Sequence, residues 1–297
     1  MTDAQKILGA CVRALREQKK ITLEQLALKA GITYQYLSGV ETGKENFTVN
    51  VLEKLSSALE TPLKSLVATA YNTAAGYTSP VLEDRYFREQ VPRPEGLTTD
   101  HIRAAANLTQ SIIHRMNRNM VEEVGGPLQS LIQGNNFSGL VSNIFSNCMD
   151  QCSPYKHNHD QKYPDLIYKE GNQGNGVGLE VKLTVNVGKG GESHNGHSGW
   201  HVIACYNFLE NGDIVFVHLM FAILNGHQSA ESDWSYVGSK VNTETGSRRT
   251  ETYTTNGLGT TKLRDGSVYI NTDVINFSRW KQSRNTPELP TWSIFHK

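Results

Sequence analysis

Residues 15–66 read LREQKKITLEQLALKAGITYQYLSGVETGKENFTVNVLEKLSSALETPLKSL, and this stretch decides the architecture of the N-terminal quarter. Thr22 is followed three positions on by Gln25, the pairing that closes a helix N-terminus reciprocally. The helix it opens carries Leu23, Leu26, Ala27 and Ala30. It stops at Gly31, a residue suited to the left-handed conformation of a tight inter-helix turn. Thr33 caps the next helix, TYQYLSGVETG, which Gly43 closes. Val51, Leu52, Leu55 and Leu59 form the stripe of a fourth, and Pro62 opens a fifth at its first turn. Upstream, Ile7, Leu8, Cys11, Val12 and Leu15 recur as the apolar face of another helix. Residues 4–69 are therefore expected as five short helices. The second and third, joined by a Gly-containing turn, have the helix-turn-helix arrangement.

Working outward, 297 residues suggest about two domains at roughly 150 residues each. A composition of 38% hydrophobic and 20% charged residues excludes collagenous and disordered classes. The longest apolar run, Ile214 to Leu224, is interrupted by His218 and is far short of the ~20 residues a membrane-spanning helix needs. The opening MTDAQKILGA lacks the basic-then-apolar pattern of a secretory signal. Four cysteines (Cys11, Cys148, Cys152 and Cys205) are too few for a disulfide scaffold, so the expected compartment is a reducing cytoplasm. Formal charge is zero overall but uneven: residues 1–70 carry net +2, 71–150 net −2, and 240–297 net +4. That balance excludes a polycation while allowing local DNA-binding faces.

The string over residues 15–66 resembles the Cro/CI-repressor (XRE) family. The matching positions include Leu26, Ala27, Gly31, Ile32, Leu37, Ser38, Glu41, Gly43, Leu52, Leu55 and Leu59. The resemblance implies that the third helix enters the major groove of double-stranded DNA, presenting Thr33, Tyr34, Gln35 and Ser38 to base edges or phosphates. Gln35 suits adenine N6/N7. Lys44 and Asn46, just past the helix, are candidates for phosphate contact. Leu23 stands where many members have Gln, so one phosphate contact that the resemblance implies does not carry over to this position.

Residues 71–100 mix Gly, Pro, Ser and Thr without periodicity and read as a linker that wraps onto a second domain. From Asp100 to about Ile132 the pattern is helical, with Gly125-Gly126-Pro127 as a stop, so Glu122 and Glu123 fall in a final helical turn. Farther on, Tyr163-Pro164-Asp165-Leu166-Ile167-Tyr168 reads as a turn into a strand. After a Gly/Asn-rich loop, Leu179-Glu180-Val181-Lys182-Leu183-Thr184-Val185 alternates as a second strand. Glu180 and Lys182 project from one face, and Leu179, Val181 and Leu183 from the other. Pairing of the two strands as a hairpin would bring Asp165 beside Glu180. Two carboxylates and an ammonium suit phosphodiester cleavage: a hard divalent cation needs one or two carboxylates, and a lysine can support the charge that develops on phosphate.

Pro164-Asp165…Glu180-Val181-Lys182 resembles the PD-(D/E)XK nuclease motif. By that resemblance Asp165 and Glu180 ligate Mg²⁺ (with Mn²⁺ as a substitute), the Val181 carbonyl adds a ligand, and Lys182 serves the attacking water. Glu122 or Glu123 matches the helical acid that some members supply. Strands are read at His201–Leu209 and Asp213–Leu224, joined by an Asn211-Gly212 hairpin turn. The helix that the family places between its third and fourth strands is not visible in the sequence.

Other constellations compete. Cys148, Cys152, His157 and His159 are zinc-type residues, but a two-residue spacing between the histidines is tighter than usual. The literal His157-Asn158-His159 does not have the spread of the nuclease family of that name. Lys189, His194, His197 and His201 lie in a Gly-rich stretch that reads as a DNA-touching loop. Arg248 and Arg249 suit guanine O6/N7 readout within a basic C-terminal region that includes Lys262 and Arg264. No phosphate-binding loop, nucleophile elbow or dinucleotide fingerprint is present.

The expected fold is α+β and multidomain. Residues 1–70 form an all-α five-helix DNA-binding domain, 71–100 a linker, and 101–297 an α/β nuclease-like domain with a central mixed β-sheet. The expected function is that of a type II restriction endonuclease, a homodimer cutting double-stranded DNA beside a cognate DNA methyltransferase, with no membrane partner. Two alternatives stand: a transcriptional regulator with a non-catalytic second domain, and a modification-dependent nuclease.

Overall fold

Capping residues and apolar stripes of the first 74 residues produce the five helices expected of them: α1 (Asp3–Gln18), α2 (Leu23–Ala30), α3 (Tyr34–Glu41), α4 (Val49–Ala58) and α5 (Leu63–Ala74). They were obtained in a computed structural model that describes residues 3–74, 79–159, 163–169, 178–187, 192–194, 196–238, 251–275 and 289–295. The chain divides into two units, Met1–Thr78 and Ser79–Lys297.

In the first unit, the Thr22 hydroxyl accepts from the Gln25 amide at 3.2 Å while the Gln25 side chain accepts from the Thr22 amide at 2.8 Å. Gly31 ends α2 at φ 63°, a left-handed geometry that would strain a residue with a Cβ. Leu8, Val12, Leu26, Leu37, Val40, Leu55, Leu59 and Leu66 fill the core. One buried feature has no apolar signature. The Arg16 guanidinium grips Glu41 bidentately, at 2.7 and 2.8 Å, and also donates to the Ile21 carbonyl at 3.1 Å, pinning α1 to the end of α3.

The second unit begins earlier than its first long helix. Residues 79–98, expected as linker, bury Leu82, Tyr86, Val91 and Leu97 in the core of this unit and include a 3₁₀ turn at Asp84–Tyr86. Then come α6 (Thr99–Val124), α7 (Leu128–Leu131) and α8 (Gly134–Cys152). Helix α8 has no counterpart in the sequence expectation. Its first turns carry Gly134, Asn135, Asn136, Ser138 and Gly139, all weak helix formers, and Gln133 gives no side-chain cap. Burial of Phe137, Val141, Phe145, Cys148 and Met149 makes it a helix, and that is a tertiary effect.

The strands are β1 (Tyr155–His157), β2 (Leu166–Tyr168), β3 (Gly178–Thr184), β4 (Glu192–His194), β5 (Gly199–Phe208), β6 (Ile214–Leu224), β7 (Trp234–Gly238), β8 (Thr252–Thr255) and β9 (Ser267–Ile270), with α9 (Gly257–Asp265) before the last. A mixed six-stranded sheet runs β1-β2-β3-β5-β6-β9, with β3 and β5 its parallel pair. A three-stranded sheet runs β4-β8-β7. Both faces of the large sheet are covered at β5 and β6, so those strands read as nearly continuous apolar runs. Val181, Val202, Ala204, Tyr206 and Phe216 face α6 and α8, and Ile203, Cys205, Val217 and Met220 join Trp234 and Leu263 on the opposite face. The β5–β6 turn is locked to α6. His114 Nδ1 meets Asp213 Oδ2 at 2.5 Å, and the Asn117 amide donates to the Asn211 carbonyl at 2.7 Å. β5 and β6 join directly through that turn, and among the described residues after β1 a helix enters before β9, as α9.

No helix among the described residues is long and apolar enough to cross a membrane.

Candidate functional site

In the first unit, Thr33 caps α3 by accepting from the Tyr36 amide at 3.2 Å. The helix then presents Tyr34 and Gln35 outward, with Ser38 half-buried one turn on. Lys44 and Asn46 are exposed beyond its C-terminus. The Tyr36 hydroxyl donates to the Asn46 carbonyl at 3.0 Å, which fixes the loop carrying both residues. A capped helix with an exposed N-terminal turn is the part of a helix-turn-helix that reads a major groove.

In the second unit, β2 and β3 pair antiparallel with Leu166 opposite Leu179. One step along, that register sets Asp165 opposite Glu180. The Asp165 carboxylate accepts from the Val181 amide at 2.8 Å, so it is fixed against the strand that bears Glu180. Pro164, which precedes Asp165 through a cis Tyr163–Pro164 peptide, rests on Gly178. A Cβ on Gly178 would meet Pro164 Cγ at 2.1 Å. Gly178→Ala is therefore expected to cost about 1–3 kcal/mol by overpacking and to push Asp165 off Val181. A urea melt checks the first effect. Amide exchange at Val181 checks the second, since losing its acceptor must speed exchange.

Glu180 is buried, and its Oε1 accepts from Lys182 Nζ at 2.7 Å. Its Oε2 is buried with no hydrogen-bond partner among the described residues. Burial first, and the Glu180 charge second, hold the Asp165 carboxyl above the usual aspartate range. The Tyr163 phenol is pushed up to about 12 by burial and by the same two carboxylates, and its hydroxyl donates to the Ser198 carbonyl. An orphaned carboxylate oxygen beside a second, half-buried carboxylate is a shortage of positive charge. Two carboxylates and a neighbouring backbone carbonyl suit Mg²⁺, which keeps most of its waters when protein-bound. Among the described residues no group of three or more His, Cys, Asp or Glu is placed to hold a metal ion.

The sheet brings together Asp165, Glu180, Val181 and Lys182, as the hairpin expectation required. It does not bring Glu122 or Glu123. Both are exposed in the last turn of α6, where Glu122 pairs with Arg118 at 3.0 Å. Helix α6 covers the Val181 and Val202 face, whereas Glu180 and Lys182 leave the other face, and pleating allows no exchange between them. That half of α6 is also tied to the β5–β6 turn, about 25 Å along β5 from the residue opposite Glu180.

His197 stacks on Tyr163 with ring centroids 4.1 Å apart, and burial lowers its pKa. It therefore borders the carboxylates. His194 lies on β4 opposite Thr252. Lys189, Arg248 and Arg249 fall outside the described residues. Lys262, expected in a basic DNA face, instead pairs at 2.6 Å with buried Asp233. Among the described residues Cys148, Cys152, His157 and His159 are not gathered into a metal-holding group, and burial pushes the Cys148 and Cys152 thiols up to about 12 and about 11. The neighbour that sequence alone does not place at the site is His201. It is fully buried on β5 directly across from Glu180, and burial lowers its pKa to about 4. Its sequence signal, a histidine in an apolar strand, shows burial but not its neighbour.

Comparison with known proteins bears on the first unit. Residues 12–66 match the family described as helix-turn-helix (HTH_3). The HTH-type transcriptional regulator y4dJ of Sinorhizobium fredii is 35% identical over 74 residues, covering 25% of this chain and 96% of its own. The HTH-type transcriptional repressor RghR of Bacillus subtilis is 36% identical over 78 residues, 26% of this chain but only 54% of its own length. Among solved structures, the restriction-modification controller protein C.AhdI of Aeromonas hydrophila is 32% identical, covering 21% of this chain and 94% of its own at a TM-score of 0.21. With the capped α2–turn–α3 geometry in residues 12–66, the chain belongs to the helix-turn-helix family of DNA-binding proteins.

Proposed function

We propose that this DNA-binding chain is a Mg²⁺-dependent endonuclease of the restriction type, cutting double-stranded DNA at a short site. The observation that carries the reading is buried Glu180 beside half-buried Asp165, with one Glu180 oxygen unpartnered among the described residues and Lys182 on the other. Asp165, Glu180 and the Val181 carbonyl would hold the ion. When bound, it supplies charge neutralisation at the scissile phosphate and a more acidic water. The chain's own groups prepare the rest. The Val181 amide fixes Asp165, Lys182 keeps an ammonium beside Glu180 where negative charge develops on phosphate, and the apolar sheet beneath raises the worth of each charge. Attack by water breaks the P–O3′ bond, leaving 5′-phosphate and 3′-hydroxyl ends. A homodimer would present one such site to each strand, and a methyltransferase of matching specificity would protect the host's own sites.

A second reading has its own support. y4dJ, over nearly its whole length, and RghR are named as transcriptional regulators, and the likeness of the first unit to them favours a transcriptional regulator. Incubation with unmethylated and methylated phage DNA, in Mg²⁺ and in EDTA, separates the readings. Discrete fragments that need Mg²⁺ are the expected result, and the methylation state that permits them tells restriction from modification dependence. A gel shift without cleavage in every buffer would establish the regulator instead.

Under either reading α3 reads sequence. Gln35→Ala is expected to weaken specific binding about tenfold or more, the worth of a bidentate adenine contact, while leaving the melting temperature unchanged because Gln35 is exposed. Fluorescence anisotropy on cognate and scrambled duplexes checks it, and equal loss on both would reassign Gln35 to the phosphates.

A further inference from the structure

His201 is fully buried, yet only one of its ring nitrogens has a partner. Nδ1 lies 2.9 Å from the Gly199 carbonyl oxygen; a carbonyl only accepts, so Nδ1 carries the proton. Nε2 is left as a buried lone pair with nothing to accept from. Across the parallel β3–β5 pair, His201 is the Cα partner of Glu180, so the two side chains leave the same face of the sheet on adjacent strands. Glu180 Oε2 is buried and unpartnered as well. The imidazole is held in place: Trp234 packs with its ring centroid 5.3 Å away, and Tyr163, two residues before Asp165, lies at 6.4 Å. Two buried acceptors on one face, with no donor among the described residues for either, are complementary to a hydrated cation. A cation attracts the carboxylate, and its waters donate to a nitrogen lone pair.

We infer that His201 is a positioning residue of the carboxylate site, its Nε2 accepting a hydrogen bond from the hydration shell of the divalent ion held by Asp165 and Glu180. This rests on the reading of that pair as a metal site. A histidine whose Nδ1–H is tied to a backbone carbonyl has a fixed tautomer and ring orientation and presents Nε2 alone. An ion bound through only two carboxylates keeps several waters, which need acceptors of this kind. Such outer contacts are worth about 10–100-fold in metal affinity.

The test is a Mn²⁺ titration of the full chain by electron paramagnetic resonance, without DNA or turnover, on wild type, Glu180→Ala, His201→Asn and His201→Gln. Asn keeps a donor near Gly199 but loses the Nε2 acceptor, whereas Gln reaches the Nε2 position. We expect His201→Asn to weaken Mn²⁺ binding about tenfold or more and His201→Gln to recover most of it. A structural role would give the opposite order. Wild-type affinity in His201→Asn, with binding abolished in Glu180→Ala, would overturn the role of His201 while leaving the metal site intact. No Mn²⁺ bound by wild type would overturn the metal site itself, and this inference with it. If neither His201 variant folds, the ¹⁵N imidazole resonances of wild type decide. The Nε2 signal of His201 moves upfield on adding Mg²⁺ if the inference holds, and stays where it is if it does not.

Discussion

Glu180→Ala is expected to remove Mg²⁺-dependent cleavage, with a loss of about 10³-fold in single-turnover rate, while DNA binding by the first unit is unchanged. The size follows from the charge that the site must neutralise. Metal-assisted stabilisation of a phosphoryl transition state is worth several kcal/mol, and ~4 kcal/mol corresponds to about 10³-fold. The fold is expected to survive, because the substitution removes a buried carboxylate that raises its neighbour Asp165. The melting temperature should therefore hold or rise, the pattern of a residue retained for chemistry rather than stability. A variant that cleaves at the wild-type rate would dissociate the carboxylate pair from catalysis. A variant that melts early without cleaving would show the pair to be structural.

The largest expected effect on stability lies in the first unit. Glu41→Ala leaves the Arg16 guanidinium partly buried, with the Ile21 carbonyl at 3.1 Å and the exposed Glu17 carboxylate at 3.6 Å as its remaining partners. Breaking a buried ion pair by removing one partner costs several kcal/mol; because Arg16 keeps a path to water, about 3 kcal/mol is expected here. For a unit of this size that is a drop of roughly 12 °C or more in melting temperature. Scanning calorimetry of the full chain checks it, through the transition that specific operator-type DNA raises. The double variant Arg16→Met/Glu41→Leu should recover most of the loss, since apolar groups of similar volume need no hydrogen-bond partners. Arg13→Ala, which breaks an exposed pair with Glu17 one turn away, should leave the melting temperature where it was. A Glu41→Ala protein with wild-type melting would mean that α1 and α3 are held by their apolar contacts alone.

The two units differ in how much of them can be read before folding. In residues 3–74 the informative signals act within one or two helical turns. Thr22 with Gln25, Gly31 and Thr33 each satisfy backbone groups a few residues away, so a linear string is enough to place α2, the turn and α3. What escaped that reading is the Arg16–Glu41 pair, which joins residues 25 apart and follows no periodicity. In the second unit the strands that became β3, β5 and β6 announce themselves by alternation or by apolar runs. Helix α8 does not, because its helicity is imposed by the sheet it covers. Residues 79–98 look like linker for the same reason: Leu82, Tyr86, Val91 and Leu97 are apolar but aperiodic, and only the core explains them.

The candidate site divides along the same line. Residue types and spacing in the sequence by themselves determined the helix-turn-helix unit and singled out Asp165, Glu180 and Lys182 as residues that a strand pairing would bring together. Only the tertiary structure decided which acids meet. The antiparallel register of β2 on β3 sets Asp165 against Glu180. Helix α6 carries Glu122 and Glu123 on the other face of the sheet, and the parallel register of β5 on β3 sets a buried histidine beside the pair. The physical reason is that caps and turns are settled by hydrogen bonds within a few residues. Strand register and face depend on which apolar residues, far apart in the chain, leave water together.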